Sequence, residues 1–369
     1  MTASVYITDL RAKPGRNLLQ KLTALLIKAG LDEIDFEGKL VALKIHFGEP
    51  GNLAYIRPNY VATIAALIRE RGGKPFLTDA NTLYSGRRHN AVDHLAAAQE
   101  NGFNRIATGC DVIIADGLKG TEFREIPLNF KHCATAKIGS AIADADIIIS
   151  LTHFKGHEMT GFGGALKNLG MGSGSRGGKL EMHSASKPQM KQENCVSCGI
   201  CVRNCPQEAI AFNADRKAEI DYALCIGCGQ CVALCNYDAA QVVWDEAADT
   251  AVEKIAEYTY AVVHGKPALH ISFVMNVSPD CDCWNMNDAP ITPDLGIAAS
   301  RDPVALDRAC VDLVNAAPII PNSRLAETAC QVGDDKFTHI HPKTQWQAGL
   351  NHAEEIGLGT QSYELHWVK

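Results

Sequence analysis

Along most of this chain short apolar runs alternate with stretches in which apolar residues recur every three or four positions. This is the pattern of an α/β domain with a largely parallel sheet. Strands are predicted at Val5–Leu10, Val41–Phe47, Pro75–Asp79, Asp111–Ala115 and Asp146–Thr152, and helices over Arg16–Ala29, Pro58–Gly72 and Asn90–Asn101. Pro58 suits a first helical turn, where its missing N–H would have no partner anyway. The pattern stops at Pro188. It resumes at Asp249 with a helix over Ala251–Val263, strands over Ala268–Asn276 and Leu295–Ser300, and a helix that Asp302 caps and Pro303 opens. The expected layout is an α/β domain with its first part at 1–187 and its second at 246–369, interrupted by residues 188–245. The two outer parts are expected to pack together, because the later strands alone would leave exposed sheet edges.

The interruption is dominated by cysteine. Cys195, Cys198, Cys201 and Cys205 form one C-x2-C-x2-C-x3-C run, and Cys225, Cys228, Cys231 and Cys235 form a second. This is the bacterial twin-cluster ferredoxin pattern, in which the fourth cysteine of each run ligates the other cluster. On that pattern Cys195, Cys198, Cys201 and Cys235 hold one [4Fe–4S] cluster, and Cys225, Cys228, Cys231 and Cys205 hold the other. Two alternatives use the same residues. Structural zinc sites pair C-x2-C units, but do not need the third cysteine at the next x2 step. A disulfide framework needs an oxidising compartment. The chain opens Met-Thr-Ala-Ser-Val-Tyr-Ile-Thr, without a basic head or apolar signal core, so a reducing compartment, the cytoplasm, is expected.

In open α/β sheets ligands gather outside the carboxyl ends of the strands. There the sequence places Lys44-Ile-His46-Phe-Gly-Glu49, Asp79-Ala-Asn81-Thr82-Leu-Tyr84 and His153-Phe-Lys155-Gly-His157-Glu158. Any one of these polar residues could be a solvated loop group or a helix cap, and His46 and His153 could be satisfied core histidines. If the strands are parallel neighbours, the groups converge on one rim. Eight glycines then fall in the eighteen positions from Gly161 to Gly178, ahead of Lys179. Such density lets backbone approach a ligand and builds anion nests, although a flexible connector has the same composition. The P-loop template fails by register, since Lys179 is followed by Leu180. Cys281 and Cys283 lie between aspartates and give only two thiolates, as suited to a buried inert role as to a metal.

Composition narrows the field. With 369 residues, 46% hydrophobic and 21% charged, the chain can bury a substantial core in two or three domains. A net charge of −7, with no basic stripe, argues against nucleic acid, and no apolar run reaches the length of a membrane span. The tail histidines, His339, His341 and His366, read as surface groups.

Taken together, Thr78–Tyr84, Ser150–His157, Gly161–Gly172, the cysteine runs and Ser278–Cys283 resemble the iron–sulfur centre protein family, in which a domain of unknown function is joined to a twin-cluster ferredoxin module. A more distant likeness is to the nickel-pincer lactate racemases, carried by His157, the run Gly161-Phe-Gly-Gly-Ala-Leu-Lys167, and His183. That likeness implies Lys167 as tether or anchor of an organic or metal cofactor and His157 and His183 as cofactor or metal contacts. Here Gly163, Leu166 and Met182 replace the serine, arginine and asparagine of that pattern.

The reading is an iron–sulfur oxidoreductase. Two [4Fe–4S] clusters would exchange electrons with a redox partner protein, a ferredoxin or reductase, and with a small-molecule substrate or second cofactor. Candidate catalytic residues are His46, Asp79, His153, His157, Lys167 and His183, and candidate cofactor contacts are Asn81, Gly161, Gly163, Gly164, Lys167 and Asn168. Three rivals use the same features: a dedicated electron carrier, a racemase-like isomerase with structural clusters, and a metal or cluster maturation factor.

Overall fold

The computed structural model describes residues 2–84, 86–184, 187–225, 229–243 and 245–369. Cys228, named above, lies outside the described residues. Eight strands make one central sheet: β1 (Ala3–Thr8), β2 (Leu40–Ile45), β3 (Lys74–Asp79), β4 (Val112–Ile114), β5 (Ile147–His153), β6 (Ala268–Val274), β7 (Gly296–Ser300) and β8 (Tyr363–Trp367). Their order across the sheet is β8-β1-β7-β6-β5-β2-β3-β4. Only β7 runs antiparallel to its neighbours, β1 and β6; every other pairing is parallel. The molecule is thus a mixed α/β protein built on a large, largely parallel sheet. Strands from before and after the cysteine-rich stretch share that sheet.

The helices that position the site are α1 (Leu18–Lys28), α2 (Pro58–Glu70), α3 (Ala91–Glu100), α4 (Ala165–Ser173), α5 (Arg176–His183), α6 (Ala248–Val263), α7 (Pro303–Ala316) and α8 (Trp346–Glu355). Every residue of β5 is buried, so the strand reads as a continuous apolar run instead of an alternating one. Its Ile147, Ile149 and Leu151 join Leu22 and Leu26 of α1 and Val61, Ile64 and Ile68 of α2 in one core. Ile148 faces the opposite layer, with Leu169 of α4 and Ile255 and Tyr258 of α6. Each such aliphatic side chain contributes about 1.5–3 kcal/mol by leaving water. On the α4 face Ser150 and Thr152 follow Ile148 at alternate positions, so the layer turns polar toward the strand's carboxyl end.

Several local signals are realised. Asp302 accepts from the N–H groups of Val304 and Ala305, and Pro303 opens α7. Elements beyond the expected set include the hairpin Phe123–Pro127 with Thr135–Gly139, helix α8 and the edge strand β8. The tail histidines are not all surface groups: His341 is buried, its Nε2 2.9 Å from the Pro279 carbonyl. No helix among the described residues is long and apolar enough to cross a membrane.

Candidate functional site

Because β2, β3 and β5 run in parallel and in adjacent register, their carboxyl ends bring His46, Asp79 and His153 to one rim. The segment after β6 and the helices α4 and α5 close a cavity of about 780 Å³ above them. Its wall includes His46, Asp79, His153, His157, Lys167, Asn168 and His183, residues scattered over some 140 positions of sequence. Three expected cofactor contacts lie elsewhere, Gly161, Gly163 and Gly164, and so does Asn81. Asn81 Nδ2 donates to Asp116 Oδ1 at 2.9 Å and to the Gly117 carbonyl at 2.8 Å, which ties the loop after β3 to the loop after β4.

The floor is a buried ionic ladder. Lys44, fully buried, reaches Asp79 Oδ1 at 2.9 Å and Asn168 Oδ1 at 2.8 Å. Arg88 lies 2.8 Å from Glu49 and 3.7 Å from the other oxygen of Asp79. Burial alone would raise the Asp79 pKa, but Lys44, His94, His46 and Arg88 outweigh it and hold the carboxyl below its ordinary range. Burial, then Arg88, pushes His46 well down, so its ring is neutral. His183 is pushed down to about 3 by burial, Lys167 and His157, and its Nδ1 sits 3.3 Å from Met159 Sδ. Asn168 serves this ladder as a brace, its Nδ2 donating to Leu151 O and Thr152 Oγ1, each at 3.1 Å.

One wall is the turn from Asn276 to Trp284. Asp282 is fully buried, 2.9 Å from His153 Nδ1 and 3.2 Å from Lys155 Nζ. His153 Nε2 meets the Met275 carbonyl at 2.8 Å. Both ring nitrogens of His153 therefore face acceptors, and this candidate catalytic histidine holds the turn instead of offering a free nitrogen to the cavity. Gly156 is required there: a Cβ would come 2.0 Å from the Pro279 carbonyl oxygen. The clamp presents Cys281, which is 1% exposed, and Cys283, which faces the cavity. Lys167 Nζ is 3.3 Å from Cys281 Sγ. Burial works against the charge of both, yet the pair sustains it. Hydrogen bonding from Cys283, Lys167 and His157 brings the Cys281 thiol well below its ordinary range, and the sulfurs raise Lys167 in turn. Cys283 is raised, first by its bond to Cys281 and then by burial. The ligand atoms of His157, Cys281 and Cys283 all lie within 4.8 Å of one another. Sequence spacing exposed the two cysteines, but not that Lys167, 114 residues earlier, would meet them. Arg88 was missed altogether, since nothing in its local pattern marks it as buried.

The glycine-rich segment differs from an anion nest or a connector. It forms α4 and α5, and its glycines permit close packing. A Cβ on Gly170 would lie 2.3 Å from the Ile255 carbonyl of α6, and one on Gly161 would lie 2.9 Å from Trp346. A Cβ on Gly164 would meet Asp307 at 2.3 Å, and one on Gly163 would meet Lys155 at 3.2 Å. The N-terminus of α4 is already closed by Asp307, which accepts from Ala165 N at 2.6 Å and Leu166 N at 2.9 Å. Those two amides are therefore taken by the chain's own carboxylate.

The cysteine-rich stretch repeats itself at thirty residues. Gly199 and Gly229 both have φ +72° and start the short helices Ile200–Arg203 and Gln230–Leu234. Cys205 Sγ accepts from Ala209 N and Cys235 Sγ from Ala239 N, each at 3.3 Å, and Cys195 Sγ accepts from Ala218 N at 3.3 Å. Cys195 and Cys231 are buried in a small core with Ile210, Ile220 and Val232, against which Cys201, Cys205, Cys225 and Cys235 pack. Leu83 and Leu180 of the α/β body belong to the same core.

Fold and site together define a mixed α/β protein with a charged cavity at the carboxyl edge of its sheet and a cysteine-rich unit packed beside it. The chain belongs to the family described as Domain of unknown function (DUF362), which it matches over residues 41–312. It is 28% identical over 173 residues to a thylakoid-associated protein of Synechocystis sp., a match that covers 46% of this chain and spans only half, 50%, of that protein. Among solved structures it is similar to the lactate racemase apoprotein from Thermoanaerobacterium thermosaccharolyticum, with TM-score 0.40 and 12% identity, covering 87% of this chain and 60% of that one. A Thermotoga maritima protein gives TM-score 0.36 and 12% identity over 71% of this chain and 52% of that one.

Proposed function

We propose that this chain carries two [4Fe–4S] clusters in the stretch Cys195–Cys235 and passes electrons between them and a substrate or second cofactor in the cavity. Cys195, Cys198, Cys201 and Cys235 would hold one cluster, and Cys205, Cys225, Cys228 and Cys231 the other. The donor set among the described residues fits: soft sulfur ligands are gathered on one small apolar core, and backbone N–H groups are aimed at three of the sulfurs. When bound, each cluster supplies one electron at a time. Leu83 is the observation that carries the reading. It belongs to the core shared with Cys195 and Cys231 and also lines the cavity, so one side chain is common to both.

The chain's own residues prepare the cavity. Lys44, Asp79, Arg88 and Glu49 fix its floor, Asn168 and Thr152 lock α4 to the sheet, and Lys167 reaches from the cavity wall to the buried Cys281. A soluble one-electron donor, a ferredoxin or reductase, would dock beside Cys198, where Val196 and Phe212 are exposed.

Anaerobically purified protein is expected to hold about eight iron and eight sulfide per chain. Iron near zero with stoichiometric zinc would overturn the proposal. Lys167→Met and His183→Ala should stop electron delivery to the cavity while leaving iron content and reduction by the donor unchanged. Unchanged delivery in both variants would make the α/β body a docking platform for a carrier.

A further inference from the structure

We infer that Cys281 and Cys283 are a redox dithiol that reduces a small disulfide held in the cavity and closes to a Cys281–Cys283 disulfide in doing so. The geometry is a built site. The turn that bears both sulfurs is clamped by His153 and Lys155 on Asp282 and by His341 on Pro279. Cys283 stands at the cavity wall, and Cys281 lies behind it, within 3.3 Å of Lys167 Nζ. A disulfide needs Cα atoms within about 7 Å, and residues two apart in a chain span about 7 Å at most.

The same atoms suit a bound metal ion less well. The Lys167 ammonium stands where a cation bound to Cys281 would be repelled. His157 Nδ1 accepts from Met159 N at 3.1 Å and Thr160 N at 3.2 Å, so its ring presents an N–H to Cys281, not a lone pair.

In the first step Cys283 Sγ attacks one sulfur of the substrate and its proton passes to Cys281. The substrate S–S bond breaks, and the leaving thiolate takes a proton from Lys167. Cys281 Sγ then attacks the sulfur of Cys283 in the mixed disulfide and returns its proton to Lys167. The second thiolate leaves and is protonated by solvent. In sum, one proton and one disulfide are consumed, two thiols are released, and the two protein sulfurs are oxidised by two electrons. Restoring the pair takes two electrons and one proton, and only the source of those electrons rests on the iron–sulfur reading above.

The test mixes reduced full-length protein, anaerobically, with oxidised glutathione or bis(2-hydroxyethyl) disulfide, followed by acid quench, alkylation and peptide mass spectrometry. The peptide carrying both cysteines should become unalkylatable and lighter by two hydrogens, with two thiols released. Cys281→Ser should trap a mixed disulfide on Cys283. Lys167→Met should slow closure about tenfold, the loss of a charge-assisted hydrogen bond, and Lys167→Arg should preserve it. Equal alkylation of both sulfurs before and after exposure to either disulfide would overturn the inference, as would a stoichiometric metal ion lost in Cys281→Ser. Neither readout depends on iron content, so this inference and the iron–sulfur reading can fail separately.

Discussion

Lys44 stands in an otherwise apolar strand, buried to the tip of its side chain, and its charge survives there because Asp79 and Asn168 receive it. Burial lowers its pKa and Asp79 restores part of it. Breaking such a pair from one side leaves a buried charge alone, at about 3–5 kcal/mol, whereas removing both charges is close to neutral. Lys44→Met is therefore expected to cost about that much in urea unfolding, and Lys44→Met with Asp79→Leu substantially less. Equal losses in the two variants would mean that the pair is not coupled. At this scale the sequence was partly readable. A lysine and histidine closing an apolar run, or a carboxylate at a strand end, stand out locally. What each one touches does not: His153 gives both nitrogens to Asp282 and a carbonyl from more than 120 positions away, and only the folded sheet decides that.

Helices α4 and α5 show where composition misleads. Glycine density was legible, but it cannot tell a backbone cleared for a ligand from one cleared for another helix. In α4 the answer is the second. Gly170 faces the Ile255 carbonyl and Thr259 Oγ1 of α6, at 2.3 and 2.8 Å from where a Cβ would be. Thr259 Oγ1 also donates back to the Leu166 carbonyl at 2.8 Å. Gly170→Ala should push these helices apart and cost about 1–3 kcal/mol, although alanine is the better helix former. A gain in stability on thermal or urea melting would refute the close-packing role. Because α4 also carries Lys167 and Asn168, the same shift should widen the Lys167–Cys281 approach.

Across the whole molecule, burial of neutral histidines sets the response to acid. His94, His183 and His270 are each held down to about 3, first of all by burial, against an ordinary value near 6.5. Between those values the unfolded chain binds protons that the folded one refuses, so stability is full above about pH 6.5 and falls as pH drops toward 3. Urea midpoints measured from pH 7 to 4 should decline, with His46 adding to the effect and the raised carboxyls of Asp116 and Asp307 opposing part of it; a flat profile would contradict the burial of these rings. The α/β class and the largely parallel sheet were readable in the alternation of apolar runs. The edge strand β8 was not, because its alternation is short and set in a polar tail.

That sheet has one more consequence. β1 lies between β8 and β7, so the earliest strand is hydrogen-bonded on both sides to strands made last. The two halves of the α/β body interlock. A protease that nicks the chain within residues 187–245 should yield two fragments that remain together through gel filtration under native conditions. Separately expressed halves, divided at that stretch, should find each other and regenerate the sheet as a split protein does.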